Sequence, residues 1–243
     1  MTAPNIDAVF ISDLHLNPEQ PEITQRFSDF VQWAAENTRA LYILGDFFHV
    51  WAGDDSLNAW SESIALQLAG LASRGVHVFY MHGNRDFLLG KKFAELSVMK
   101  ILSDPEVIEL NGERVLLTHG DGYCTNDHAH QWLMRITRNR WFSTLFLLIP
   151  YGIRKRLVSK VRIYSQTNKQ KAASTMDIVA AVMLADMRKH NVSSVIHGHI
   201  HKPGLTTHSE KGITYKQYVL SDWDDKPTFL CYYNSCGFSF DIF

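Results

Sequence analysis

Short apolar runs that stop abruptly at a carboxylate, amide or imidazole recur along this chain. Val9-Phe10-Ile11 ends in Ser12-Asp13-Leu14-His15, and Leu41-Tyr42-Ile43-Leu44 ends in Gly45-Asp46. Val78-Phe79-Tyr80-Met81 ends in His82-Gly83-Asn84-Arg85-Asp86, and Val115-Leu116-Leu117 in Thr118-His119-Gly120-Asp121. Val195-Ile196 ends in His197-Gly198-His199-Ile200-His201. Apolar runs this short, bounded by turn residues, read as buried strands. A glycine such as Gly45 lets the backbone turn sharply where the strand stops. The five strand ends therefore point side chains of metal-ligand type at one place.

Between these runs the period changes. Phe27, Phe30, Val31 and Ala34 share one face of a helix, and residues 60–73 form a second helix with Gly75 past its end. A short basic helix is expected near 89–96. Residues 107–110 and 114–118 flank Asn111-Gly112, a two-residue hairpin signal. A helix near 175–190 and antiparallel strands over 213–220, 228–233 and 238–243 complete the chain. Strand–helix alternation followed by hairpins predicts an α/β protein, with one mixed sheet or two sheets packed face to face.

The middle third breaks this pattern. Residues 128–176 contain no Asp or Glu but ten Lys and Arg, so the rest of the chain carries a balance of −11 beneath a net charge of only −1. Trp132, Trp141, Phe142, Leu145, Leu148, Ile153 and Leu157 are interleaved with those cations, mostly at helical spacing, and Pro150 interrupts the run. This reads as a basic and apolar helical insert, about residues 125–175, in an otherwise single domain of 243 residues. Cys124, Cys231 and Cys236 lack metal-type spacing and suggest a reducing compartment. The N-terminus shows no basic and apolar leader pattern. The greasiest stretch, 141–149, falls short of the roughly 20 residues a membrane span needs. The expectation is a protein in solution or on a membrane surface.

A two-metal hydrolase needs nitrogen and oxygen ligands of intermediate hardness and a carboxylate shared between the ions. The ordered set Asp-x-His, Gly-Asp, Gly-Asn-Arg-Asp, His-Gly-Asp and Gly-His-x-His, from Asp13 to His201, resembles the calcineurin-like metallophosphoesterase family. The resemblance implies a β-sandwich flanked by helices, in αββα layers, with a helical cap insertion. It implies that Asp13, His15, Asp46 and His201 hold one ion, and that Asp46, Asn84, His119 and His199 hold the other. Asp46, Asn84, Arg85 and His119 would be the catalytic group. Many members of the family have a histidine where this chain has Arg85, and that histidine protonates an alkoxide leaving group. Without that acid, the best leaving group is one that is already stable, such as a phosphate. The bond favoured is a pyrophosphate.

Longer segments narrow the resemblance: Trp51-x-Gly53-Asp54-Asp55, Arg85-Asp86-Phe87-Leu88-Leu89-Gly90, Cys124-Thr125-x-Asp127 and His199-x-His201-x-Pro203. They resemble the bacterial UDP-2,3-diacylglucosamine hydrolases of lipid A biosynthesis. That family implies two Mn2+ ions and water attack on the α-phosphorus, with UMP and 2,3-diacylglucosamine 1-phosphate as products. It implies substrate contacts at Asn84, Arg85, Asp127, Ser165, Asn168, Lys171 and His199. It also implies a cytoplasmic protein, peripheral on the anionic inner membrane. The sequence leaves the oligomeric state open, with a monomer the expectation, and the aliphatic load of the insert argues against a nucleic-acid partner, since single-strand binders favour stacking aromatics. Asp127 can equally serve as a helix N-cap, and His82 and His197 as structural strand-end residues. The competing enzyme reading is a phosphoesterase acting on cyclic nucleotides or nucleic acid. The non-enzymatic reading, a metal-free scaffold, conflicts with the presence of all seven expected ligands.

Overall fold

Alternation within each apolar run decides the layers. The computed structural model describes residues 6–167 and 177–243. In β1 (Ala8–Ile11), Val9 and Ile11 face helices α1 (Pro21–Asn37), α2 (Ala59–Ser73) and α3 (Lys91–Ser97). Ala8 and Phe10 face the opposite way. The same division holds in β2 (Ala40–Leu44), with Leu41 and Ile43 on the helical side and Tyr42 and Leu44 on the other. β3 (His77–Met81) and the two-residue β4 (Lys100–Ile101) extend this sheet in parallel.

A second sheet begins with the hairpin β5 (Glu106–Leu110) and β6 (Glu113–Leu117). Asn111 and Gly112 both take positive φ in its turn, as the sequence pair requires. Three helices follow, α4 (His128–Thr137), α5 (Arg140–Leu147) and α6 (Tyr151–Thr167), then α7 (Ala180–Lys189). β7 (Ser194–His197), β8 (Gly204–Glu210) and β9 (Ile213–Val219) complete the second sheet in the order β5-β6-β7-β9-β8. The chain then returns to the first sheet with β10 (Thr228–Tyr233) and β11 (Gly237–Ile242), giving the order β11-β10-β1-β2-β3-β4.

The sheets pack face to face. Phe10, Tyr42, Leu44 and Met81 meet Val115, Leu117, Ile196 and Tyr218 in a buried layer. Phe10 stacks on Tyr42 at 4.9 Å, and Tyr42 on Phe79 at 4.6 Å. On the outer face of the second sheet, Leu116 and Val195 pack against Met183 and Met187 of α7. The architecture is thus αββα, as expected. Burying each large side chain of this kind contributes about 1.5–3 kcal/mol.

Two expectations need correction. Residues 177–179 are not helical, and α7 begins at Ala180 rather than near 175. The Val179 amide is tied to the Tyr123 carbonyl at 3.0 Å, and the extended backbone there delays the helix. β4 and β8 lie outside the predicted strands. β8 is an exposed edge strand, and its sequence, Gly-Leu-Thr-Thr-His-Ser-Glu, shows no apolar alternation.

This topology places the site. β1, β2 and β3 run parallel in one sheet, and β6, β7 and β9 run parallel in the other. The chain leaving each of the six enters a polar segment, and ligands of parallel sheets bind beyond such carboxyl ends.

Candidate metal centre

Asp13, His15, Asp46, His199 and His201 all adopt positive φ, between 52° and 69°. Non-glycine residues avoid this region at a cost of about 1 kcal/mol or more each, and such strain collects at functional sites. Backbone contacts between strand-end loops hold the strained residues in place. The Asp13 amide donates to the Gly45 carbonyl at 3.1 Å, and the His15 amide to the Asp46 carbonyl at 2.9 Å. Gly45, at φ 86°, lies where a Cβ would come within 2.7 Å of Gly83 and of His119 Nδ1. Only glycine permits these three loops to press together.

The carboxylates and imidazoles converge. Asp46 Oδ2 lies 3.3 Å from His15 Nε2, and Oδ1 lies 3.7 Å from His119 Nε2. Its two oxygens thus face one histidine of each expected ion pair member. Asp13 Oδ1 lies 3.3 Å from His201 Nε2 and 4.0 Å from His15 Nε2. His199 donates its backbone amide to Asp13 Oδ2 at 2.8 Å, and its ring packs edge-on to His119 at 5.1 Å. Asn84 Oδ1 is 3.0 Å from His119 Nε2. All seven sequence-predicted ligands therefore meet in one place.

Asp13 Oδ1 is buried and accepts no well-formed hydrogen bond. Asp13, His15 and His201 can direct one atom each to a common point, as can Asp13, Asp46 and His119, with these atoms within 4.8 Å of one another. An orphaned buried carboxylate oxygen among imidazoles is what a cation would satisfy. Mixed nitrogen and oxygen donors suit a divalent transition metal. The residues fit a divalent-metal site.

Neighbours outside the ligand set aim the rings. His119 Nδ1 donates to the Leu44 carbonyl at 2.9 Å, turning Nε2 inward. His201 Nδ1 donates to Asp222 Oδ2 at 3.0 Å, turning its Nε2 toward Asp13. Burial would lower the His119 pKa, but Asp46, Asp13 and Asp121 outweigh it and raise it to about 9. Burial opposes a proton on His201 as well, yet Asp13 and Asp222 raise its pKa to about 10. Burial and then His119 lower the His199 pKa to about 4, leaving that ring neutral. Burial favours the neutral forms of Asp13 and Asp46. Their histidine neighbours, and Arg85 at Asp46, hold both pKa values well below the usual carboxylate range.

Arg85 caps the centre. Its amide donates to Asp46 Oδ1 at 2.9 Å, and its Nε lies 3.1 Å from Asp46 Oδ2. Asp86 braces the same loop from below. Its carboxylate accepts from the amides of Phe47 at 2.7 Å, Phe48 at 3.2 Å and Gly83 at 2.9 Å. Asp127 N-caps α4, accepting from the His130 amide at 3.0 Å. His82 Nε2 donates to the Leu89 carbonyl at 2.8 Å, and His197 lies between the Gly198 carbonyl and Gln217 at 2.9 Å each. Both histidines have structural contacts in these strand-end loops. Ser165 lies on the backbone of α6, while Asn168 and Lys171 lie outside the described residues.

Sequence reasoning did not single out Asp222, and its signal was present. Tyr218-Val219-Leu220 is another apolar run, and it ends in Ser221-Asp222. It also did not single out His130, whose ring stacks on His199 at 5.5 Å. No strand end announces that residue, because a helix supplies it.

The model of the calcineurin-like phosphoesterase family matches residues 7–203. A UDP-2,3-diacylglucosamine hydrolase of Stutzerimonas stutzeri is 43% identical over 89% of this chain and 90% of its own. Proteins of the same name from Aeromonas salmonicida (42%, over 93% of this chain and 89% of theirs) and Pseudomonas aeruginosa (42%, over 90% and 92%) are similarly close. With both the centre and the full-length similarity in agreement, the chain belongs to the calcineurin-like phosphoesterase family, in the branch of its UDP-2,3-diacylglucosamine hydrolase relatives.

Proposed function

We propose that this protein cleaves the pyrophosphate bond of UDP-2,3-diacylglucosamine, releasing UMP and 2,3-diacylglucosamine 1-phosphate for lipid A biosynthesis. Two Mn2+ ions are the proposed cofactors, held by Asp13, His15, Asp46 and His201 and by Asp46, Asn84, His119 and His199. Such ions supply Lewis acidity and a water nucleophile that is active near neutral pH. The chain's own groups do the rest. Asp46 faces a histidine on either side and is the natural shared ligand. Arg85 is fixed on Asp46 through its amide and Nε, which leaves its terminal nitrogens for phosphate oxygens. Arg85 cannot act as an acid near neutral pH, so the departing group must leave as an already stable anion, as a phosphate does. Attack at the α-phosphorus satisfies this condition.

One observation carries the lipid reading. The helices α4 to α6 display Trp132 (66% exposed), Trp141 (80%) and Leu148 (76%), with Leu145 and Ile153 also exposed. Exposed Arg135, Lys155, Arg156 and Lys160 lie among them. Acyl chains and phosphates together require such a surface, and so does an anionic bilayer. The proposed role of these helices is a cap that receives the acyl chains, with Asp127, Ser165, Asn168, Lys171 and His199 contacting the substrate. The proposed location is the cytoplasmic face of the bacterial inner membrane, as a peripheral monomer. Among the described residues no helix is long and apolar enough to cross a membrane.

The test is incubation with UDP-2,3-diacylglucosamine in detergent micelles and MnCl2, following UMP. The expected result is UMP release that EDTA abolishes and Asp46→Ala removes. Absence of UMP alongside turnover of cyclic nucleotides would overturn the substrate assignment.

A further inference from the structure

The acid-free composition of residues 128–176 has a structural consequence. An arginine buried there has no carboxylate within its own segment and must reach one in the sandwich. Two arginines reach sandwich carboxylates, one on either side of α5: Arg138, whose side chain stays one third exposed, and the buried Arg154. Arg138, at the end of α4, places Nη2 2.6 Å from Asp104 and 2.5 Å from Asp121. Thr118 Oγ1 also donates to Asp104 at 2.6 Å. Gln131 of α4 adds bonds to the carbonyls of Asp121 at 2.9 Å and Cys124 at 3.1 Å. Arg154, near the start of α6, is only 1% exposed. It pairs with Asp55, donates to the Ala52 carbonyl, and reaches the Ile149 carbonyl at 2.7 Å.

The loop that receives Arg154 is shaped for it. Gly53 has φ 120°, and a Cβ there would overlap Arg154 Nη1 and Leu147 Cδ2. The following Asp54 ties this loop to α3 through the amides of Gly90 and Lys92, at 2.8 Å each. The segment Trp51-x-Gly53-Asp54-Asp55 is therefore a socket on the sandwich, and it holds no metal ligand.

We infer that Arg138 and Arg154 are latches that fix α4–α6 over the metal centre and thereby set affinity for the acylated substrate, an inference that rests on the function proposed above. They are positioning residues: their charge is consumed by Asp104, Asp121 and Asp55, and they take no part in the chemistry. The exposed cations of α4 and α6 remain for anionic groups outside.

Arg154→Gln tests one latch. Arg138→Gln combined with Asp104→Asn tests the other without leaving two carboxylates facing each other. Each variant is assayed on UDP-2,3-diacylglucosamine in micelles and on bis(p-nitrophenyl) phosphate, a small soluble diester. Amide hydrogen exchange is followed across α4–α6. Displaced substrate-positioning elements cost about tenfold or more, so KM for the lipid should rise by at least that factor. Turnover of the small diester should stay within about twofold, since latch loss spares the transition-state contacts. Exchange in α4–α6 should quicken while both sheets stay protected. Equal losses on both substrates, or an unchanged lipid KM with faster exchange, would overturn the inference. If Arg154→Gln folds poorly, the swapped pair Asp55→Arg with Arg154→Asp should restore protection of α6; failure to do so counts against the latch. Wild-type protein inactive on the lipid but active on the diester would defeat the proposed substrate alone. The exchange data would still decide whether the arginines fix the helices.

Discussion

His201 lies between two carboxylates, Asp13 at 3.3 Å and Asp222 at 3.0 Å, and only one of them faces the proposed ions. Asp222 accepts the Nδ1 proton, which leaves Nε2 as the ligating atom. Losing an outer carboxylate of this type costs about 10–100-fold in metal affinity or activity. Asp222→Asn should therefore weaken Mn2+ binding by at least about tenfold in a calorimetric titration, with an unchanged far-UV spectrum. Unchanged affinity would remove Asp222 from the centre. The seven proposed ligands were legible because each follows a buried strand at a sharp turn. Asp222 follows the same rule after β9, yet it belongs to no metal-ligand spacing and contacts the centre only through another side chain. Pattern reading finds ligands more readily than the groups that aim them.

Asp86 belongs to the element scale, because it ties the end of β3 to the end of β2. Three backbone amides, of Phe47, Phe48 and Gly83, end on its buried carboxylate. Each buried donor left without a partner costs about 1–3 kcal/mol. Asp86→Ala should destabilise the fold by about 3 kcal/mol or more in urea unfolding and impair metal binding, because Asp46 sits in the loop it braces. A loss below about 1 kcal/mol would mean that water replaces the carboxylate. The elements read correctly from sequence were those with one buried face: β1, β2, β3, the Asn111-Gly112 hairpin and α1. β8 was missed because its residues are mostly exposed on both faces, so nothing in its sequence alternates. The start of α7 was displaced because a tertiary bond from Val179 to Tyr123 overrides local helical preference. The basic insert was legible as composition, but the two arginines that pair with the sandwich, Arg138 and Arg154, were indistinguishable from the others, since the pairing of a cation depends on where distant carboxylates lie.

At the scale of the whole molecule, the metal-binding groups couple stability to pH. Without metal, His119 keeps its proton up to about 9 and His201 up to about 10, against 6.5 for the free side chain. A pKa raised by folding contributes stability that is complete below the unfolded value and disappears as pH climbs through the folded one. Asp13 and Asp46 act at the opposite end. Their depressed pKa values contribute above the unfolded carboxylate range, and that contribution is lost in acid. A bound cation changes the first half of this balance, because it requires deprotonated imidazoles and so competes with the two protons. In EDTA the melting temperature should fall as pH rises from about 7 to about 10, while the increment gained from Mn2+ should grow over the same interval. Binding near neutral pH should release protons to the buffer, measurable from titrations in buffers of different ionisation enthalpy. A flat EDTA profile with no proton release would mean that neither histidine is charged in the metal-free protein. The carboxylates would then face each other across the site with the Arg85 guanidinium, on Asp46, as their counter-charge. Such an arrangement requires the αββα core to hold the five positive-φ loop residues together against both strain and repulsion. The charged histidines remove the second burden: in the metal-free protein the protons occupy the electrostatic role that the cations take over, so the centre is already assembled when metal arrives.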